Sequence, residues 1–455
     1  MATDSDHTFD VIVIGLGPGG EHVAGSLAER GLRVLGVDRG LVGGECPYWG
    51  CIPSKMMIRA ADALAEARRV DGLAGTVGEV TPDWSVVARR IREEATDNWD
   101  DKVAVDRLVG TGATFVRGSG RISGPGRVDV DGTAYTATKG IVVNTGTTAA
   151  IPPVEGLRDT PYWTNHEIVE ATELPASIVV LGGGAIGCEL SQVMARFGVA
   201  VTIVEAADRI LSLEEPEASE KLRAALEADG VTVHQGVGAE KVTHDGSTFT
   251  VTLADGTSLT AEKLLVAAGR RADPAAVGLD AVGVAKDSRT APVDDRCRVT
   301  DGVWAVGDIT GKGAFTHVSM YQAGVVIRDV LGDDGPPAEY AALPRVTFTD
   351  PEVGAVGMTE AQAREKLAHV QVGLTPLGET TRGWIAKSDG LIKVVVDADR
   401  GVVVGATTMG PAGGEVLGAL AVAVHGEVPV DRLRSMIYAY PTLHRGIEDA
   451  LGRLA

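Results

Sequence analysis

Two stretches of the chain carry the same pattern of apolar and polar positions. Residues 10–14 (DVIVI) form a short β-branched run that predicts a buried strand, residues 22–30 have helical spacing, and residues 32–37 form a second strand closing on Asp38. Residues 177–181, 188–197 and 200–204 repeat that order and close on Glu205. Between strand and helix each stretch carries G-x-G-x-x-G, written Gly15, Gly17 and Gly20 in the first and Gly182, Gly184 and Gly187 in the second. Such glycines permit a tight turn, close approach of the backbone to a pyrophosphate, and packing of the helix on the strand. An acid at the end of the following strand accepts hydrogen bonds from ribose hydroxyls. A lone glycine fingerprint is often only a turn. With strand, helix and acid in place twice, the pattern predicts an α/β protein with two Rossmann-like dinucleotide-binding domains, and therefore two cofactors.

At 455 residues the chain exceeds the size of a single core, so about two or three domains are expected. Apolar residues make up 44 %, aromatics 4 %, and there are 59 glycines, which fits an α/β protein rich in tight turns. The net charge of −20 argues against nucleic acid or an anionic membrane as partner, since both require a basic face. Four cysteines do not make a secreted disulfide framework, and the N-terminus lacks a basic start followed by an apolar run; a cytoplasmic protein is expected. No apolar run has the length of a membrane span, and residues 416–424, broken by Gly418, fit a buried element.

The chemistry concentrates in residues 43–55, GGECPYWGCIPSK. Cys46 and Cys51 have four residues between them, a spacing that allows a small disulfide loop with one sulfur facing outward and the other inward. Unequal thiols suit a redox relay, because thiol exchange proceeds by direct attack of one sulfur on another. A structural bridge, or two buried thiols, is the bland alternative. Lys55 follows Cys51 by one helical turn and shares its face.

The stretch resembles the redox-active disulfide of the flavoprotein disulfide reductases, G-G-x-C-x-x-x-x-C-x-P-S/T-K, a family that includes dihydrolipoyl dehydrogenase, glutathione reductase and mercuric reductase. The resemblance implies that the first fingerprint, with Asp38 and Gly44, holds FAD and that the second holds a nicotinamide. Thr145 and Gly146 in IVVNTG would close the first FAD segment, Gly269 in LLVAAGRR the nicotinamide domain, and Asp308 in TDGVWAVGD would bind a ribityl hydroxyl. Cys51 would be the flavin-side sulfur and Cys46 the exchanging one, with Lys55 paired to Glu189 beside the flavin. The implied domains are 1–151 (first FAD part), 152–273 (nicotinamide), 274–337 (second FAD part) and a C-terminal α+β dimerisation domain over 344–455, giving a homodimer. Glu205 favours NADH, since a carboxylate there repels the 2′-phosphate of NADPH; Arg209, four residues on, could soften that repulsion. No metal site is expected.

The C-terminus departs from the pattern. The family's His-Pro-x-x-x-Glu acid–base pair is replaced by Tyr440 and Arg445. A tyrosine, with a pKa of about 10, is a poor base near neutrality. Either His444 and Glu448, four apart on one expected helical face, have taken over the dyad, or Tyr440 and Tyr438 work as in mercuric reductase. Within the redox loop Tyr48 and Trp49 would narrow access, offer a stacking surface for a flat substrate, or simply pack. The expected function is an FAD-dependent oxidoreductase passing electrons from NADH through Cys46–Cys51 to a small-molecule disulfide or dithiol. A metal-ion reductase, a flavin-centred quinone reductase and a non-catalytic flavoprotein are the competitors.

Overall fold

The computed structural model describes residues 7–455. Its chain divides into two compact units, one built from residues up to Ser54, Ala88–Ala150 and Arg270–Glu339, the other from Lys55–Val87, Ile151–Gly269 and Tyr340–Ala455.

In the first unit the strand Thr8–Ile14 lies inside a mostly parallel sheet, with Val34–Asp38 on one side and Thr133–Val143 on the other. Val11 and Val13 face one core and Ile12 and Ile14 the other, which is why this strand reads as a continuous apolar run. The helix Pro18–Glu29 follows, with Gly17 as its N-cap and Pro18 supplying the fixed φ suited to a first helical turn. Sheet order reverses around the first strand, so the fingerprint sits at the switch point where α/β sheets bind ligands.

The second unit contains a four-stranded parallel sheet in the order Thr232–Gln235, Ala200–Glu205, Ser177–Leu181, Lys263–Val266. Its fingerprint helix is Ala185–Arg196. A five-stranded antiparallel sheet, ordered Pro344–Thr347, Glu352–Gly357, Val402–Gly410, Leu391–Asp397, Val370–Pro376, carries the C-terminal part of the same unit. The apolar stretch 416–424 lies in the helix Gly413–His425, which buries Leu417, Leu420, Ala423 and Val424 against that sheet. Val422 stays in solvent, so the stretch buries one face and not its whole circumference. No helix among the described residues is long and apolar enough to cross a membrane.

Inside this unit one lysine holds three carboxylates. Lys393, buried in the strand Leu391–Asp397, places Nζ 2.9 Å from Glu215, 2.8 Å from Glu217 and 2.9 Å from Glu360. Burial alone would discharge the ammonium, but the three carboxylates outweigh it and hold the lysine charged above its ordinary range. The cluster anchors the start of the helix Pro216–Ala228. Replacing Lys393 with Met would leave buried Glu215 without its counter-charge and is expected to cost about 3–5 kcal/mol. The measurement is the urea midpoint of the variant; an unchanged midpoint would remove this cluster from the supports of the fold.

Candidate active site: two glycine turns, a cysteine loop and a buried ion pair

Both fingerprints solve the same steric problem. A Cβ on Gly20 would lie 2.0 Å from the Gly15 carbonyl oxygen, and one on Gly187 would lie 2.0 Å from that of Gly182. Gly15 (φ +89°) and Gly182 (φ +114°) occupy the left-handed region and press on the backbone of Asn144 and Ala267, where a Cβ would come within 2.4 Å of a carbonyl oxygen. At Gly184 a Cβ would meet no atom within 4 Å, so this glycine faces open space where a phosphate can approach the helix N-terminus.

The two acids also repeat. Asp38 accepts the Leu16 N–H at 2.6 Å and the Gly40 N–H at 2.8 Å. Glu205 accepts the Gly183 N–H at 2.6 Å and the Ala207 N–H at 2.7 Å. Each carboxylate therefore clamps its own fingerprint turn, and each oxygen keeps a second lone pair for a ribose hydroxyl. Arg209 is turned away from that role, donating from Nη2 to the carbonyls of Ser212 (2.9 Å) and Glu214 (3.0 Å).

Asn144 pins the first turn: its Oδ1 accepts the Gly20 N–H at 2.8 Å while Nδ2 donates to the Val306 carbonyl at 2.8 Å. Thr145 is exposed and Gly146 adopts φ +64°, and it is Thr147 that reaches Asp308, donating its hydroxyl at 2.8 Å. Arg270, next to Gly269, holds Thr147 in place by donating to its hydroxyl and its carbonyl, both at 2.7 Å. Burial pushes the Asp308 carboxyl above its usual range, against the pull of Thr147 and Arg270. The constellation fits FAD: a glycine turn with no room for a side chain, a helix N-terminus behind it, an acid at the second strand and a buried carboxyl held by a threonine. Sequence reasoning placed Asp308 but missed Asn144, Thr147 and Arg270; the IVVNTG patch that contains Asn144 and ends just before Thr147, and the GRR patch that contains Arg270, were the available signal.

The redox loop is seated on the first fingerprint. Gly43 donates its N–H to the Leu16 carbonyl at 2.7 Å, and Gly44 (φ +66°) passes so close to Gly17 that a Cβ would fall 2.9 Å from its Cα. The one-turn helix Glu45–Tyr48 carries Cys46, half-buried, and Cys51 opens the helix Cys51–Arg68 in an exposed position. A hydrogen bond with Cys51, and then burial, push the Cys46 thiol well above its ordinary value. Cys51 Sγ lies 3.5 Å from the hydroxyl of Thr316, the first residue of the helix Thr316–Leu331. Cys51 thus stands at the start of its own helix and beside the start of another, where backbone dipoles favour a thiolate.

Tyr48 is buried and Trp49 half-buried, with their rings 5.8 Å apart. Tyr48 is accordingly a packing residue and not an open stacking surface, because it is only 6 % exposed. Trp99 donates its indole N–H to the Tyr48 carbonyl at 3.3 Å from a turn in which Asp97, Asn98 and Trp99 all have positive φ.

Four residues into its helix, Lys55 lies in the second unit and meets Glu189 at 2.8 Å. Glu189 is only 6 % exposed; its other oxygen accepts the Phe348 N–H at 2.8 Å, and the Lys55 ammonium sits 4.6 Å from the centroid of the Phe348 ring. The pair expected from the resemblance is formed.

The C-terminal expectation is corrected. The chain becomes helical only at Gly446, so His444 and Glu448 do not share a helical face. Glu448 pairs with Arg445 at 2.9 Å, and His444 Nδ1 lies 3.0 Å from the Thr442 hydroxyl. Tyr438 is buried and donates its hydroxyl to the Leu433 carbonyl, while Tyr440 is 64 % exposed with the Arg445 guanidinium over its ring.

The sequence matches the pyridine nucleotide-disulphide oxidoreductase family over residues 9–323 and that family's dimerisation domain over residues 343–451. It is 32 % identical to a dihydrolipoyl dehydrogenase of Chlorobaculum tepidum, covering 97 % of this chain and 96 % of that one. It is also 32 % identical to a mercuric reductase of Shigella flexneri, over 98 % of this chain and 81 % of the relative. Among solved structures, the Cu(II) complex of the HOCl-induced flavoprotein disulfide reductase RclA from Escherichia coli superposes with a TM-score of 0.85 at 26 % identity, covering 98 % of this chain and 99 % of that one. LpdA from Mycobacterium tuberculosis superposes with a TM-score of 0.85 at 25 % identity, over 97 % and 99 %. With both dinucleotide turns, the cysteine loop and the dimerisation domain matched along nearly its whole length, this chain belongs to the pyridine nucleotide-disulphide oxidoreductases, the FAD-dependent flavoprotein disulfide reductase family.

Proposed function

We propose that this protein carries an electron pair from NADH to the Cys46–Cys51 disulfide and from there to a small disulfide. The observation that carries the reading is the inequality of the two cysteines: Cys46 lies half-buried on a one-turn helix, while Cys51 lies at two helix starts beside Thr316. FAD, when bound, supplies the two-electron carrier between nicotinamide and disulfide. The residues of the chain do the rest. Asn144, Asp38 and the glycines of the first turn bind and orient the dinucleotide; Lys55, anchored by Glu189, brings a positive charge one helical turn from Cys51.

The balance is simple. NADH and one proton convert the enzyme disulfide to two thiols and release NAD⁺. The Cys46 sulfur, as thiolate, attacks the substrate disulfide; one substrate sulfur leaves as a thiol and a mixed disulfide remains. Cys51 thiolate then attacks Cys46, the second substrate thiol departs, and the enzyme disulfide is restored. The proton on Cys46 must leave and return in each cycle. We assign that transfer to His444, delivered across the homodimer as the family resemblance implies and oriented through Nδ1 by Thr442, because an imidazole is the better base near neutrality.

NADH is preferred to NADPH in this reading because Glu205 is held by two backbone N–H groups at the mouth of the second turn, and Arg209 is engaged with carbonyls elsewhere. A metal-ion reductase is the second reading. It is favoured by the similarity to mercuric reductases and by the Cu(II)-bound state of a structural relative.

Cys46→Ser is expected to abolish NADH-dependent disulfide reduction while leaving flavin reduction by NADH intact; persistent disulfide turnover would defeat the relay. Quinone or metal-ion reduction surviving undiminished in the same variant would assign the physiological acceptor to the flavin itself. His444→Gln should lower disulfide turnover at least tenfold at neutral pH, against less than threefold for Tyr440→Phe, on the order of a lost acid–base group. The reverse order would transfer the proton step to the tyrosine. Glu205→Ser should narrow the preference for NADH over NADPH, seen as a fall in the KM for NADPH; no change would detach Glu205 from cofactor choice.

A further inference from the structure

The helices Cys51–Arg68 and Ala185–Arg196 are matched by charge at seven-residue intervals. Lys55 and Asp62 stand seven apart on one, Glu189 and Arg196 seven apart on the other; Lys55 meets Glu189 at 2.8 Å and Asp62 meets Arg196 at 2.7 Å. The signs alternate, so sliding one helix past the other by seven residues would set Lys55 against Arg196. Like charges there would repel in a site where Arg196 is 3 % exposed.

Arg196 uses every face of its guanidinium. Beside Nη1 to Asp62, it donates from Nε to Asp229 at 2.9 Å and from Nη2 to Asp350 at 2.7 Å. Gln192, between Glu189 and Arg196 on the helix, donates to Asp229 at 2.9 Å and to the Asp350 carbonyl at 2.8 Å, and accepts the Asp350 N–H at 2.8 Å. Two residues earlier, the Phe348 N–H fixes the Glu189 oxygen that Lys55 leaves over. Glu189, Gln192 and Arg196 therefore grip the segment 348–350 at successive points, and that segment holds Glu189 in return.

We propose that Arg196 is a positioning residue for the Lys55–Glu189 pair, acting through Asp62 on the redox helix and through Asp350 on the segment that anchors Glu189. Asp229 accepts from Arg196 Nε and from Gln192 and, among the described residues, hydrogen-bonds to no residue of the redox helix. The inference rests on the electron path proposed above only for its spectroscopic readout.

The test compares Asp62→Asn, Asp229→Asn and Arg196→Lys in the FAD-loaded protein. After anaerobic addition of one equivalent of NADH, the wild type should show a long-wavelength absorption from Cys51 thiolate lying against oxidised flavin. Asp62→Asn and Arg196→Lys should at least halve that band, and Asp229→Asn should leave it intact even where it lowers the melting temperature. A band equally intact in Asp62→Asn and Asp229→Asn overturns the proposal, whatever their melting temperatures. Absence of the band in the wild type would sink the electron path instead, and the inference is then decided by thermal double-mutant cycles. Lys55→Met should be non-additive with Asp62→Asn and additive with Asp229→Asn. Additivity in both cycles rejects a positioning role for Arg196.

Discussion

Two backbone contacts set the terms for everything else in this molecule. At Gly20 and Gly187 the helix approaches the turn before it so closely that a Cβ would fall 2.0 Å from a carbonyl oxygen. Each contact brings a helix N-terminus to the edge of a parallel sheet, and each is locked by a carboxylate, Asp38 or Glu205, that accepts an N–H from its own turn. The cysteine loop depends on the first of these turns, because Gly43 hydrogen-bonds to Leu16 and Gly44 lies against Gly17. A side chain at Gly44 would displace the loop that carries the chemistry.

From that seat the loop leads into a single helix that serves two purposes. Its first residue is Cys51 and its fifth is Lys55, so a sulfur and a cation are fixed relative to one another by helical geometry alone. Keeping a carboxylate as buried as Glu189 ionised requires compensation at both oxygens. Lys55 provides one partner and the Phe348 backbone the other. The same logic recurs at Arg196 and at Lys393, each a buried cation surrounded by carboxylates. Charges so arranged contribute register more than stability, because a shifted helix would leave them unpaired in a dry site.

The fold class, both glycine turns and the two acids were legible because they rest on local requirements: a left-handed glycine, a β-branched run, an acid at a strand end. The cysteine loop and Lys55 were legible for the same reason, since their relation is fixed within a few residues of chain. The C-terminal segment was misread because four-residue spacing brings side chains together only on a helix. There the helix waits until Gly446, and Arg445 captures Glu448 before His444 can. For Tyr48 the sequence left access, stacking and packing open, and burial decided for packing, since exposure is a property of what packs above a residue.

What the sequence by itself determined is the chemistry that local backbone geometry dictates: two dinucleotide turns, a closely spaced pair of cysteines, and a lysine one helical turn after the second of them. The tertiary structure alone decided which groups complete those sites from afar. Asn144 under Gly20, Thr147 at Asp308, Arg270 at Thr147, Thr316 at Cys51, and Phe348 at Glu189 come from segments separated by more than a hundred residues from those they serve. Hydrogen bonds and buried ion pairs act over a few ångströms in space and leave no period in the chain, so only the packed fold reveals them.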